Sequence, residues 1–233
     1  MSARTRDDVL ARAMDYPYLA HPAPYLFRDG RAEPLPPALD RASLTPVIAV
    51  GSNRSPEQLA RKYQGLAVSI PVTRLTARDL DVVYAAHMAG YGAVPATLAP
   101  SPGTEVELWI TWLDRSALTR MDETEAVGVN YRREAQVLDV VAADGPVPDR
   151  ALVYNALRGC LAFDGTMVPL AAIPATGRHA SALSQREVLE RLHREAGGTE
   201  EFERCLHGHI GATGLLRRRR LTAKLAAGAI RPV

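Results

Sequence analysis

Cysteine is scarce in this chain: Cys160 and Cys205 are the only two in 233 residues. Two thiols cannot build a disulfide framework or a four-thiolate zinc site. No run of about 18 apolar residues occurs, so no membrane-spanning helix is predicted and no membrane partner is expected. An excess of one charge is also missing. The 28 basic and 26 acidic side chains leave a net +2, too balanced for a surface that grips nucleic acid throughout. The opening MSARTRDDVLARAMDYP carries charge along its length and no apolar stretch. It does not read as a secretory signal, and a cytoplasmic location is expected. Internal repeats and low-complexity tracts are absent. What is present is a 47% hydrophobic content, enough for a full-sized core, which excludes disorder along the whole chain.

The first 46 residues differ from the rest. Seven of the 17 prolines fall there, so long regular elements are not expected beyond a short opening helix, Arg6 to Met14. Tyr16, Tyr18, Tyr25 and Phe27 make the segment too aromatic for a disordered tail, and it reads as an irregular wrap over the core, near the mouth of any cavity. From Val47 the pattern becomes regular. VIAV reads as a buried strand, followed by Gly51-Ser52-Asn53-Arg54 and a helix from Pro56 to Lys62 that starts at Ser55 with Gln58 at its third position. Strands are predicted at Val68–Val72, Leu80–Ala85, Pro95–Leu98, Val106–Leu113, Tyr131–Val141 and Ala151–Leu157. A turn is predicted at Pro100–Gly103. Asp114 caps a helix running to about Glu125. After Ile173 the pattern is helical, with a capping box at Ser184-x-x-Glu187 and further helices near 200–206 and 215–225. The organisation expected is an irregular extension over 1–46, a core over 47–180 and a helical extension over 181–233 packed on that core.

Four features carry chemistry-bearing side chains. The strand-to-helix turn at Gly51–Asn53 fits either an anion-binding concavity of backbone N–H groups or a plain tight connection, with Gly51 permitting unusual φ and Asn53 tolerating the left-handed region. It is not a P-loop, because GxxxxGK[ST] is missing. The acids Asp122, Glu123 and Glu125 lie at a helix end that disfavours carboxylates, which fits a functional role or a solvated face. Cys205, His207 and His209 are metal-ligand types without a third or fourth partner at suitable spacing, and His21, His87, His179 and His193 are scattered, so no metal is expected. Residues 201–233 carry a net +5. The run Arg217–Arg220 fits a solvated helix or an anionic partner such as RNA, but four consecutive arginines point all round a helix and no aromatic platform adjoins them. Nucleic acid is therefore not expected as a partner.

In order and spacing, these pieces resemble the γ-glutamylcyclotransferase-like superfamily. The resemblance rests on Gly51-Ser52-Asn53 after a strand, Pro95-Ala96-Thr97-Leu98, Pro102-Gly103, Val106-Glu107-Leu108-Trp109, Met121-Asp122-Glu123-Thr124-Glu125 and Tyr131. It covers roughly residues 47–157. It implies an α+β fold, a mixed β-barrel flanked by helices with a cavity at one end. It also implies that Val50, Gly51, Ser52 and Asn53, with Tyr131, bind a small γ-glutamyl substrate, and that Glu125 is the acid/base. The reaction implied releases 5-oxoproline and a free amine, with no cofactor and no metal. Glu125 is then expected to be partly buried, which raises a carboxyl pKa. The chain departs from the family pattern at Val50, where tyrosine is usual, at Met121 for leucine, and at Ala126, where glycine is common. The stretch Pro174–His179 also lacks a tyrosine that active members often carry. These departures leave a non-catalytic amino-acid or anion-binding protein as an alternative, beside an RNA-associated one. The oligomeric state has no sequence signal.

Overall fold

The structure, a computed structural model, describes residues 5–38 and 40–232. Residues 1–4, Leu39 and Val233, which fall in the two predicted extensions, lie outside them. In chain order the elements are α1 (Arg6–Met14), β1 (Tyr25–Arg28), β2 (Arg31–Pro34), β3 (Thr45–Ala49), a 3-10 turn (Ser52–Arg54) and α2 (Pro56–Lys62). Two long strands follow, β4 (Ser69–Tyr84) and β5 (Ala96–Leu113), then α3 (Arg115–Thr124), β6 (Tyr131–Val137), β7 (Val140–Asp144) and β8 (Arg150–Ala156). The short β9 (Ala162–Phe163), β10 (Thr166–Met167) and β11 (Ala175–Thr176) precede α4 (Gln185–Glu195), α5 (Phe202–His207) and α6 (Leu215–Ala227).

The class is α+β. A nine-stranded mixed sheet runs in the order β2-β1-β4-β5-β3-β8-β6, with β7 added on β4 and β11 on β5. The pairing of β3 with β8 is parallel and the other named pairs of this sheet are antiparallel. The sheet is open, ending at β2 and β6, and does not close into the barrel that the resemblance implies. The β4–β5 ribbon is irregular where the register shifts between Arg78 and Leu80, and Asp79 takes a positive φ there.

That bulge explains a difference from the sequence reading. Two strands and a turn were expected between Pro95 and Leu113, but β5 runs through Pro100 and Pro102 as one strand. The predicted turn survives as a bulge within it: residues 101–104 stand opposite Asp79 alone, Gly103 takes φ +80°, and the Gly103 N–H is bonded to Asp79 Oδ1 at 2.7 Å. Likewise the predicted strands Val68–Val72 and Leu80–Ala85 fall, apart from Val68 and Ala85, in the single β4. The predicted strand Tyr131–Val141 is two, β6 on β8 and β7 on β4. The proline-rich first segment holds more regular structure than its composition implies. β1 and β2 form a hairpin that extends the sheet, and Pro34 is tolerated because it ends an edge strand.

Alternate residues of β3 and β5 face two apolar clusters. Ile48, Leu108 and Ile110 pack with Leu10 of α1 and Val188, Leu189 and Leu192 of α4. Val47, Ala49 and Trp109 pack with Leu59 of α2 and Met121 of α3. Both faces of the sheet are therefore covered, and the period-2 alternation of a strand decides which side chain meets which helices. The end of β3 is thus rigidly placed between α1 on one side and the α2–α3 pair on the other.

Candidate functional site

β3 ends at Ala49, and the chain turns at Val50 and Gly51 into the 3-10 turn and α2. Gly51 has φ −127° and ψ −114°, a backbone conformation with negative φ. It is needed for space: a Cβ there would lie 2.0 Å from the Tyr16 hydroxyl oxygen. Asn53 lies in the right-handed 3-10 turn and does not visit the left-handed region either. Ser55 occupies the N-cap of α2 and Pro56 follows it, but no side-chain cap bond forms and Ser55 Oγ is buried without a partner among the described residues. The predicted capping pair is therefore absent. Gln58 at the third position lines the cavity instead, as does Lys62 one helical turn later.

The second wall is the end of α3. Asp114 caps its start as predicted, accepting from the Ala117 N–H at 2.8 Å. The last turn sends its acids in different directions. Asp122 accepts from the Tyr154 hydroxyl at 2.7 Å and pairs with Arg133. Glu123 is exposed and bonds Arg120 at 3.0 Å. Glu125, the C-cap residue, turns inward with only 15% of its side chain exposed. Asn53 Nδ2 donates to its Oε1 at 2.8 Å, and Lys62 Nζ pairs with the same oxygen. No donor among the described residues bonds Oε2.

These groups line a cavity of about 110 Å³. Val50, Gly51, Ser52, Asn53, Glu125 and Tyr131, the residues singled out from the sequence, all border it. They come from positions 72 residues apart in the case of Asn53 and Glu125. Tyr131 is buried, and its hydroxyl donates to the Ala96 carbonyl at 3.1 Å, so the proton of that phenol is committed to the backbone. The tyrosine thus braces the wall.

Three further cavity residues were missed. Lys62 sits in the last turn of α2, where a basic residue reads as a complement to the helix dipole. Here it is 7% exposed and forms the ion pair. Tyr16 was noted only as part of an aromatic segment, yet its hydroxyl accepts from the Ala96 N–H at 2.8 Å inside the cavity. His87 is 2% exposed, packs edge-on against Tyr131 with ring centroids 5.4 Å apart, and has no partner at Nδ1. Burial, reinforced by the charge of Arg158, pushes its pKa down to about 3, so it is neutral. Asn53 Oδ1 is another buried cavity atom without a partner among the described residues. The cavity therefore offers a carboxylate, an ammonium, a free amide oxygen and a neutral imidazole within one small volume. That set matches a zwitterionic amino-acid head group.

The other candidates are used elsewhere. Among the described residues no group of three His, Cys, Asp or Glu is placed to hold a metal ion, and His209 Nδ1 lies against the Cys205 carbonyl at 2.9 Å. Arg217 pairs with Glu200, and Arg218 bonds the carbonyls of His209 and Gly211, so half of the arginine run braces the C-terminal helices. No helix among the described residues is long and apolar enough to cross a membrane.

No family model matches the chain, and no curated protein matches it. Among solved structures it is similar to one named gamma-glutamyl cyclotransferase, with 16% identity and a TM-score of 0.38, over 76% of this chain and 99% of that one. It is also similar to an uncharacterized protein from Homo sapiens, with 16% identity and a TM-score of 0.36, over 82% of this chain and 90% of that one. The site geometry stands independently of these likenesses.

Proposed function

We propose that the protein is a γ-glutamyl cyclotransferase-type enzyme, releasing 5-oxoproline and a free amine from a small γ-glutamyl compound. One observation carries this reading. The Glu125 carboxylate is anchored through Oε1 by Asn53 and Lys62 while Oε2 remains available on the wall of a cavity bordered by the Gly51 turn. A carboxylate held in this way is oriented and still able to accept a proton.

The chemistry needs little else. Glu125 takes a proton from the substrate α-ammonium, and the freed amine attacks the γ-carbonyl carbon of the same molecule. A five-membered ring closes through a tetrahedral intermediate. The bond to the leaving nitrogen then breaks as Glu125 returns the proton to it, and Glu125 takes the second proton from the ring nitrogen, which becomes the lactam N–H, and passes it to the released amine, which departs as an ammonium ion. Nucleophile and electrophile are tethered, so holding the substrate in a folded conformation supplies much of the acceleration. Lys62 keeps one carboxylate oxygen fixed through the cycle, and the unpartnered Asn53 Oδ1 is suited to accept from the α-amine.

The same inventory supports a second reading. A carboxylate already paired with Lys62 can seat an amino acid without chemistry. Incubation with a panel of γ-glutamyl amines and peptides, with 5-oxoproline followed by mass spectrometry, separates the two. Release of 5-oxoproline that Glu125→Gln lowers by about 10²–10⁴-fold supports the enzyme. Binding of glutamate without release from any panel member supports the binding protein.

A further inference from the structure

The two phenols that meet at Ala96 are not equivalent. Tyr131 donates to the Ala96 carbonyl, whereas Tyr16 accepts from the Ala96 N–H. The Tyr131 proton is therefore used by the protein. The Tyr16 proton has no acceptor among the described residues, although the side chain is 6% exposed and its oxygen lies against the Gly51 backbone. An O–H with no internal acceptor, buried at a cavity wall, needs a partner from the cavity. Burial pushes the Tyr16 phenol well above its ordinary pKa, against the smaller lowering from the Ala96 N–H, and the charge of Glu125 adds to the rise. The group stays protonated and remains a donor across the physiological range.

The segment that delivers Tyr16 is held firmly. Leu10 and Ala13 of α1 are buried in the main core. The Tyr18 ring meets Tyr16 edge-on at 6.1 Å and is covered by Arg61 of α2 at 4.4 Å. Arg12 stacks over Tyr91, another cavity residue, at 4.8 Å. Position 16 is thus fixed by packing to both α2 and the cavity wall, which suits a donor whose placement matters.

We propose that the Tyr16 hydroxyl donates a hydrogen bond to the carbonyl oxygen of the bound ligand, so that the N-terminal segment completes the site. This rests on the cyclotransferase reading for its reaction: the oxygen is that of the γ-carbonyl, which gains negative charge as the ring closes. A neutral phenol beside it strengthens its bond in the transition state and speeds ring closure.

The test uses the full chain with Tyr16→Phe, which keeps the ring, and Tyr18→Phe, whose hydroxyl bonds the Arg12 carbonyl at 3.2 Å outside the cavity. With a turned-over panel substrate, Tyr16→Phe is expected to lower kcat about 100-fold with little change in KM. Tyr18→Phe should stay within about twofold of wild type. Wild-type kcat in Tyr16→Phe overturns the proposal and leaves the cyclotransferase reading intact. Faster turnover in that variant also overturns it, by making Tyr16 a plug. If the wild type turns over no panel member, the enzyme reading fails separately and calorimetry with 5-oxoproline decides. A roughly tenfold weaker affinity in Tyr16→Phe supports the donor. Equal affinity, or no binding by wild type, overturns it.

Discussion

Two buried ion pairs, built from similar parts, sit in different states of completion. Arg178 and Asp81 join the segment after β11 to β4. Both carboxylate oxygens accept from the guanidinium, at 2.9 Å each for the shorter bonds, and Asp81 Oδ1 also accepts from the Val82 N–H. The guanidinium donates in addition to the Ile173 carbonyl at 3.0 Å. Lys62 and Glu125 are nearly as buried, but their contacts converge on one oxygen, and two neighbouring polar atoms have no partner. Burying charge is costly unless hydrogen bonds replace water. The first pair meets that condition with protein groups alone and is architecture. The second leaves capacity that a ligand can fill.

Isosteric removal of charge at each pair should separate the two roles. The largest effect expected is that of Glu125→Gln on turnover, a loss of about 10²–10⁴-fold, because glutamine keeps the shape but cannot accept the α-amine proton. Its melting temperature should move by only a few degrees, since Lys62 lines a cavity rather than the closed core. Asp81→Asn should reverse the pattern. Removing one partner of a saturated buried pair costs about 3–5 kcal/mol, which for a chain of this size lowers the melting temperature by on the order of 10 °C. Calorimetric unfolding of both variants, beside 5-oxoproline release, checks the contrast. Two variants with equal losses of stability would erase the distinction.

His87 extends the comparison to pH. Its folded pKa is depressed to about 3 from an ordinary 6.5, by burial first and Arg158 second. The unfolded chain therefore binds a proton below about pH 6.5 that the folded chain refuses. The stability linked to this group is fully present above that pH and is lost as the pH falls towards 3. Between pH 7 and pH 5 the loss amounts to about 2 kcal/mol. His87→Gln has no such proton, so its unfolding free energy should fall by about 2 kcal/mol less than that of the wild type over this interval. Parallel pH profiles would mean that the imidazole titrates freely in the folded state.

Much of this was legible in the residues because the signals were local. Ser184 and Glu187 form the reciprocal capping box that their spacing predicts, and α2 has its predicted bounds. The convergence of the Gly51 turn with Glu125 was legible through the resemblance alone, since no local rule links positions so far apart. What was not legible depended on partners. Pro100 and Pro102 read as a turn, and residues 101–104 do leave the ladder there, but nothing in the sequence announces that β5 pairs with β4 on both sides of them. Lys62 stood out only as the end of a helix, because it is the packing of α2 against α3 that turns it towards Glu125. Tyr16 lies in a segment whose prolines argue against regular structure, and its neighbour across the cavity is 80 residues away. The open sheet likewise follows from long-range pairing: among the described strands β6 pairs with β8 alone and β2 with β1 alone.

The smallest effect concerns the backbone that aims Glu125. α3 ends in a paired motif: the Ala126 N–H bonds the Glu123 carbonyl at 3.2 Å and the Val127 N–H bonds the Asp122 carbonyl at 3.3 Å. The residue just past the cap must then be left-handed, and Ala126 has φ +51°. Alanine in that region carries a steric penalty of about 1–2 kcal/mol that glycine avoids. Glycine gains unfolded-chain entropy, which offsets about 0.4–1 kcal/mol of the relief. Ala126→Gly should therefore stabilise the protein by about 0.5–1 kcal/mol, a rise of roughly 1–4 °C in melting temperature. The motif's hydrogen bonds are backbone bonds and survive the change, so Glu125 keeps its bonds to Asn53 and Lys62 and the rate of 5-oxoproline release should not move. A lower melting temperature would show that the Ala126 methyl contributes more by packing than it costs in strain. A higher melting temperature with slower turnover would show that the strain itself fixes the carboxylate, and the cavity pair would then differ from the Arg178–Asp81 pair in its backbone as well as in its hydrogen bonds.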